Sequence, residues 1–375
     1  MHCDHYAHDR CRSCAWLDRP YAGQLAAKDA QLHALLDRLH PARWDAPVAS
    51  AEAGFRHKAK MVVLGGAHPP RLGIVNHQQQ AIGLCDCPLY PADMRDVLQH
   101  LEDWIGTLGI APYDVAARTG EMKFLLLTRS YHGGDYLLRL VLRSEQSIDR
   151  IAQCVPMLRM VQPAIRVVSV NLQPAHMAVL EGEREILLTE QTRLAERLND
   201  VPLYIRPKSF FQTNPAVAAR LYATARAWLA PAPPVRLWDL FCGVGGFGLH
   251  CATPATALTG VEVEPEARAC ARQSAAELGL ARAEFVAPAG ADPLPAGEAP
   301  DVVIVNPPRR GIGEDLCARL TARAPARVLY SSCNPDSLVR DLARLPDYRL
   351  SRVQLFDMFP HTAHYEVLVA LERAR

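Results

Sequence analysis

Three short segments in the second half of the chain carry residues whose types and spacing suit group-transfer chemistry. The first is Asp239-Leu240-Phe241-Cys242-Gly243-Val244-Gly245-Gly246-Phe247-Gly248. Gly243, Gly245 and Gly248 have the G-x-G-x-x-G spacing, which lets a backbone turn sharply between a strand and a helix and approach a ligand closely. Glu262 closes the next apolar run about 20 residues on, where a carboxylate accepts hydrogen bonds from both hydroxyls of a ribose. Together they point to a nucleoside cofactor and leave open NAD or S-adenosylmethionine. The second segment, Asn306-Pro307-Pro308-Arg309-Arg310-Gly311, is a proline-stiffened loop whose Asn can meet cofactor and substrate at a strand end. A dehydrogenase has no need of it. Amino-methyltransferases use a similar Asn-Pro-Pro followed by an aromatic residue, and here Arg309 takes that place. The third segment is Ser331-Ser332-Cys333-Asn334-Pro335, which brings a thiol to the end of a further strand.

That thiol defines a specific reaction. A lone strand-end cysteine is ordinarily a packing residue, but the flanking motifs put Cys333 in the same cleft as Asn306 and Glu262. Carbon 5 of uracil is a poor nucleophile. A thiolate adding to C6 turns the ring into an enolate whose C5 can attack a methyl sulfonium, which calls for a soft, reversible nucleophile. A free thiol has a pKa of about 8.5, so the site must favour its ionised form. After methyl transfer a base must remove the C5 proton before the sulfur can leave. Glu366, in His361-Thr362-Ala363-His364-Tyr365-Glu366, is the candidate base, with His361 and His364 as competing proton carriers.

The elements that must position these groups alternate. Asn214-Pro215 reads as a helix cap with proline in the first turn, and the helix runs to about Leu229. Strands are expected at Val235–Phe241, Ala257–Val263, Ala283–Val286, Asp301–Val305 and Arg327–Ser331, with a helix at Glu266–Leu278 and two closing strands at Val353–Phe356 and Tyr365–Ala370. Such alternation implies a parallel sheet with helices on both faces and a ligand site at the carboxyl ends of the strands. Before it lie a helix from Gln24 to Leu39, a strand from Phe55 to Leu64, a helix from Asp93 to Leu108 and strands at Lys123–Thr128 and Tyr136–Leu142.

Eleven cysteines are present. Cys3, Cys11 and Cys14 form C-x7-C-x2-C, and Cys87-Pro88 supplies a distant fourth thiol. Four thiolates suit zinc or an iron–sulfur cluster. The spacing and the neighbouring His2, His5 and His8 lean towards zinc, and the Cys-Pro ending leans towards a cluster. Cys85 is an ambiguous neighbour, left outside the set.

Ser209-Phe210-Phe211-Gln212-Thr213-Asn214, the glycine loop, Asn306-Pro307-Pro308-Arg309, Ser331-Ser332-Cys333-Asn334 and His364-Tyr365-Glu366, in this order, resemble the RNA uracil-C5 methyltransferase family over essentially the whole chain. The resemblance implies that Gln212, Phe241, Glu262 and Asn306 contact S-adenosylmethionine, that Cys333 is the nucleophile and that Glu366 is the base. It also implies a [4Fe-4S] cluster on Cys3, Cys11, Cys14 and Cys87, because the ribosomal branch is similar in this arrangement. That branch implies a uridine of 23S rRNA as substrate, uridine 747 in the subfamily lacking an extra β-barrel domain, and the cost of unstacking the target base suits a hairpin loop. One departure is Val286-Ala287-Pro288-Ala289-Gly290-Ala291-Asp292, where Ala289 falls near an acid usual in the family; either Asp292 replaces that acid or the contact is absent.

The expected fold class is therefore α/β, in three regions. Residues 1–90 form a Cys-rich iron–sulfur region, 91–205 a mixed α+β central domain, and 206–375 a Rossmann-like S-adenosylmethionine-dependent methyltransferase domain. The net charge of +1 argues against binding RNA by bulk charge. It allows local contacts from Arg56, Lys58 and Lys60, which alternate on one predicted strand, from Arg206 and Lys208, and from Arg309-Arg310. No apolar run is long enough to cross a bilayer and no export signal opens the chain, so a cytoplasmic protein is expected. The motifs do not encode an oligomeric state, and a monomer is the default. Two other readings stay open: an NAD-dependent oxidoreductase, and a non-catalytic metal-bearing RNA-binding module.

Overall fold

The computed structural model describes residues 1–66, 69–176, 180–289, 294–295 and 297–374. Along the chain, α1 (Asp4–Ala7) and α2 (Tyr21–Leu36) precede β1 (Lys58–Gly65), β2 (Pro70–Val75), β3 (Ala81–Gly83) and α3 (Ala92–Leu108). Then come β4 (Met122–Arg129), β5 (Tyr136–Leu142), α4 (Ile148–Val161), β6 (Ile165–Leu172), β7 (Arg184–Leu187), β8 (Leu194–Leu198) and β9 (Val201–Ile205). The remainder is α5 (Pro215–Leu229), β10 (Arg236–Leu240), α6 (Gly246–Cys251), β11 (Ala257–Val261), α7 (Pro265–Glu277), β12 (Ala283–Val286), β13 (Val302–Val305), α8 (Gly313–Arg323), β14 (Arg327–Ser332), α9 (Pro335–Leu342), β15 (Tyr348–Phe356) and β16 (Glu366–Arg373).

The chain folds as two compact units, Met1–Cys14 with Glu52–Glu196, and Ala15–Ala51 with Arg197–Arg375. This differs from the division at 90 and 205. β1, β2 and β3 belong to the same seven-stranded sheet as β4 to β7, in the order β3-β2-β1-β4-β5-β6-β7, so a boundary at 90 would cut one sheet. Its core is built from alternate strand residues, such as Ala59, Met61 and Val63 of β1 with Leu125 and Leu127 of β4. The α3 residues Met94, Val97, Leu98, Leu101, Ile105 and Leu108 join them at helical spacing.

Residues 15–51 instead belong to the second unit. Leu32 and Leu36 of α2 lie in its core, and the fully buried Lys28 ammonium donates to Asp357 Oδ1 at 2.7 Å. Trp44 and Val48 bridge in parallel to Val353 and Phe356, so this segment covers the β15 edge. The second sheet has the order β12-β11-β10-β13-β14-β16-β15. Its central strand β13, Val302–Val305, is wholly buried and β-branched, as a strand covered on both faces requires. Asn214 caps α5, its Oδ1 accepting from the Val217 amide, with Pro215 at the first helical position.

Candidate active site

Strands β10, β11, β13 and β14 run parallel, so Leu240, Val261, Val305 and Ser332 all end on one edge of the second sheet. β16 runs antiparallel to β14 and opens at Glu366, so its first residue lies on that same edge. The register pairs Ser331 with Leu368 and Ser332 with Val367, so Cys333 follows the last paired residue of β14 and Glu366 precedes the last paired residue of β16.

Glu366 is 3% exposed, and Ser331 Oγ donates to its Oε1 at 2.5 Å. Burial pushes its carboxyl up to about 7, with the Ser331 bond opposing. A carboxyl of that kind exists in both forms near neutral pH, which suits a base that must take and release a proton. Cys333 is half-buried. Burial raises its thiol, the neighbouring Glu366 charge raises it further, and the Arg309 guanidinium pulls it back down. Arg309 is fixed by its carbonyl, which accepts from Asn334 Nδ2 at 2.9 Å. The loop beyond it is pinned by Asp341, whose carboxylate accepts from the Ile312 amide at 2.8 Å and from Tyr330 at 2.7 Å. Gly311 has φ +83°, and a Cβ there would sit 2.3 Å from Asp341 Oδ2, so glycine is required.

On the other side of the edge, Phe241 has φ +60° and Gly243 φ +54°, with nothing within 4 Å of where a Gly243 Cβ would stand. Glu262 Oε2 accepts from the Gly243 amide at 3.0 Å and Oε1 from the Glu264 amide at 2.9 Å. Each oxygen keeps a lone pair for a diol. Asp239 Oδ2 accepts from the Gly248 amide at 2.7 Å, and its buried Oδ1 has no partner. Burial, with the Glu262 charge adding to it, pushes the Asp239 carboxyl up to about 7. The Asn306 amide donates to Leu240 O at 3.4 Å, which ties the Asn-Pro-Pro loop to the glycine strand. Gln212 is buried two residues before the α5 cap. An anchored carboxylate, an open glycine turn and an orphan acceptor fit a nucleoside cofactor.

The family model described as tRNA (Uracil-5-)-methyltransferase matches residues 298–374, the stretch that carries Asn306, Cys333 and Glu366. The chain is 56% identical to a 23S rRNA (uracil(747)-C(5))-methyltransferase RlmC of Shewanella halifaxensis over 99% of both chains. It is 54% identical to the protein of that name from Salmonella newport over 100% of both. This chain belongs to the RNA uracil-C5 methyltransferase family. The solved tRNA (uracil-54, C5)-methyltransferase of Pyrococcus abyssi, in complex with S-adenosyl-L-homocysteine, shares the fold at TM-score 0.79 and 24% identity, over 96% of this chain and 85% of that one.

Within this uracil-C5 methyltransferase fold, the expected Gln212, Phe241, Glu262, Asn306, Cys333 and Glu366 all belong to the second unit. Asp292 lies outside the described residues, and Ala289 is exposed. His361 is buried, its amide donating to Gln24 Oε1 at 2.8 Å and its carbonyl accepting from the Trp16 amide at 2.9 Å, so it anchors a turn. His364 is exposed. Three polar groups escaped the sequence reading: Asp239, Ser331 and Asp341. Ser331 had a signal, because residues two apart on a strand share a face and Cys333 follows it at that spacing.

Cys3, Cys11, Cys14 and Cys87 line one cavity of about 160 Å³ in the first unit. The N-terminal arm reaches the Cys87 loop through His5, whose Nε2 lies 2.6 Å from Asp86 Oδ1. Burial and the neighbouring thiols push Cys14 up to about 12, and burial pushes Cys87 up to about 11. Among the described residues no three His, Cys, Asp or Glu side chains close on a single metal ion. His2, His5 and His8 do not line this cavity, and Cys85 points elsewhere, its Sγ 3.6 Å from Glu102 Oε2. Arg56 and Lys60 line it, while Lys58 does not. Among the described residues no helix is long and apolar enough to cross a membrane.

Proposed function

We propose that this chain methylates C5 of uridine 747 in 23S rRNA with S-adenosylmethionine. The observation that supports the mechanism is that β14 ends just before Cys333 and β16 opens at Glu366 on one edge of the sheet, beside the ends of β10 and β13. The full-length relatives carry the substrate, and they displace the NAD-dependent oxidoreductase and non-catalytic readings.

When bound, S-adenosylmethionine supplies the methyl group as a sulfonium. Glu262 holds the ribose diol, and Gln212, Phe241 and Asn306 complete the contacts around the donor. Cys333 loses its proton to water through its exposed side, helped by the Arg309 charge, and its sulfur adds to C6 of the uracil. C5 of the resulting enolate attacks the sulfonium methyl, the S–CH3 bond breaks and S-adenosylhomocysteine leaves as the neutral thioether. Glu366 then removes the C5 proton, the C5–C6 double bond reforms and the C6–S bond breaks, which returns the thiolate. The uridine must leave its stack to reach the sulfur, and a hairpin loop lowers that cost of a few kcal/mol.

We further infer that Cys3, Cys11, Cys14 and Cys87 hold a [4Fe-4S] cluster. Four sulfurs around one cavity, with no histidine among them, are the donor set a cubane takes. The cluster would join the N-terminal arm to the loop after β3. The protein acts as a monomer in the cytoplasm on this reading.

Mass mapping of methylated uridines in 23S rRNA from cells with and without this chain tests the function. One 5-methyluridine, at position 747, is expected to disappear. Unchanged methylation there would overturn the assignment.

A further inference from the structure

A cluster bound by four thiolates is an anion, and a partly buried anion is costly unless a fixed positive charge faces it. Arg56 and Lys60 are the two basic side chains among the residues that line the cysteine cavity. They differ in how firmly they are held. Arg56 donates its backbone amide to Leu89 O at 2.9 Å, two residues beyond Cys87, and its Nε to Lys58 O at 3.1 Å. It is half-buried, and it lines the same cavity as Cys14 and Cys87. Lys60 is exposed on β1, where water screens it.

We propose that Arg56 is the counter-charge of the cluster: it helps retain the cluster and sets its reduction potential. The inference rests on the [4Fe-4S] reading above. It also removes Arg56 from the residues expected to hold RNA phosphates. A guanidinium keeps its charge at every accessible pH and offers several donors to sulfur, so it serves this role at all working conditions. Removing a positive charge near a cluster makes the added electron less welcome, so the potential must fall.

The test uses the full-length chain reconstituted anaerobically with iron and sulfide. Iron and sulfide content, visible absorbance and an electrochemical titration followed by electron paramagnetic resonance are measured for the wild type, Arg56→Gln, Arg56→Lys and Lys60→Gln. The expected result is four irons per chain in the wild type, a midpoint shifted to more negative potential in Arg56→Gln, partial return in Arg56→Lys, and a smaller shift in Lys60→Gln. Loss of iron from Arg56→Gln with unchanged circular dichroism also supports the role. If that variant unfolds, Arg56→Lys decides, with a midpoint below that of the wild type expected. Wild-type potential and iron content in both Arg56 variants would overturn the proposal while leaving the cluster intact. A colourless wild type that binds one zinc would instead overturn the cluster reading itself, and this inference with it.

Discussion

Cys333 and the cysteines of the N-terminal cavity are all partly exposed thiols, yet they are positioned in opposite ways. Cys333 follows a strand whose hydrogen-bonded neighbour opens at Glu366, so sheet register brings two groups 33 residues apart in sequence to one edge. The cavity thiols come from an arm at residues 3–14 and a loop at 87, joined by single contacts such as His5 to Asp86. The sheet presets a geometry before any ligand arrives. The loops present donors that a ligand must draw together. On the function proposed above, one region would serve a reaction that needs alignment, and the other a group that supplies its own geometry.

The largest effect expected from this contrast is at Cys333. Cys333→Ala should cut methyl transfer by at least about 1,000-fold, because the covalent route is lost, while thermal stability changes little at this half-exposed position. Methylation assays on a uridine hairpin, with melting curves alongside, check it. Retention of rate would break the contrast, since the thiol would then be a packing residue.

Next is the pair Cys87 and Cys85. On the cluster proposed above, Cys87→Ser should lose iron and visible absorbance, whereas Cys85→Ser should keep both, because Cys85 turns towards Glu102. Iron analysis of the two purified variants separates them.

Glu366 sharpens the comparison through pH. Its folded carboxyl lies near 7, above the ordinary value, so the native chain binds a proton that the unfolded chain releases. Stability from this group is present at low pH and falls as pH rises from about 4.5 to 7, by about 3 kcal/mol. Denaturant titrations at several pH values should show a shallower decline for Glu366→Gln. An equal slope in both proteins would contradict the burial argument.

The smallest effect is at Ser331. Its hydrogen bond favours the ionised base, so Ser331→Ala should move the acid limb of the rate profile to higher pH, with under about a tenfold loss at neutral pH. A uniform loss at all pH values would mean a structural role instead.

Much of the catalytic sheet was legible because strand-end motifs announce themselves. The helix at Pro215–Leu229 follows from its cap, and Gly243, Glu262, Asn306 and Cys333 each sit where an apolar run stops. The antiparallel insertion of β16 between β14 and β15 was not legible, since no local pattern encodes which strand pairs with which. The same limit hid the second unit's claim on residues 15–51. Lys28 reads as a solvent-facing helix residue, and only the distant Asp357 explains its burial. For the thiol cavity, residue types and spacing allowed zinc or a cluster, and the placement of His2, His5 and His8 outside the cavity removes the histidines from that choice.

Adduct mapping on Glu366→Gln shows whether Cys333 bonds to the uracil ring and Glu366 releases it. The variant is incubated with S-adenosylmethionine and a uridine hairpin, then digested and analysed by mass spectrometry. The expected product is a methylated nucleotide joined to the peptide that contains Cys333, accumulating because the C5 proton cannot leave. Rapid, complete turnover without an adduct, or an adduct on a different cysteine, would contradict it.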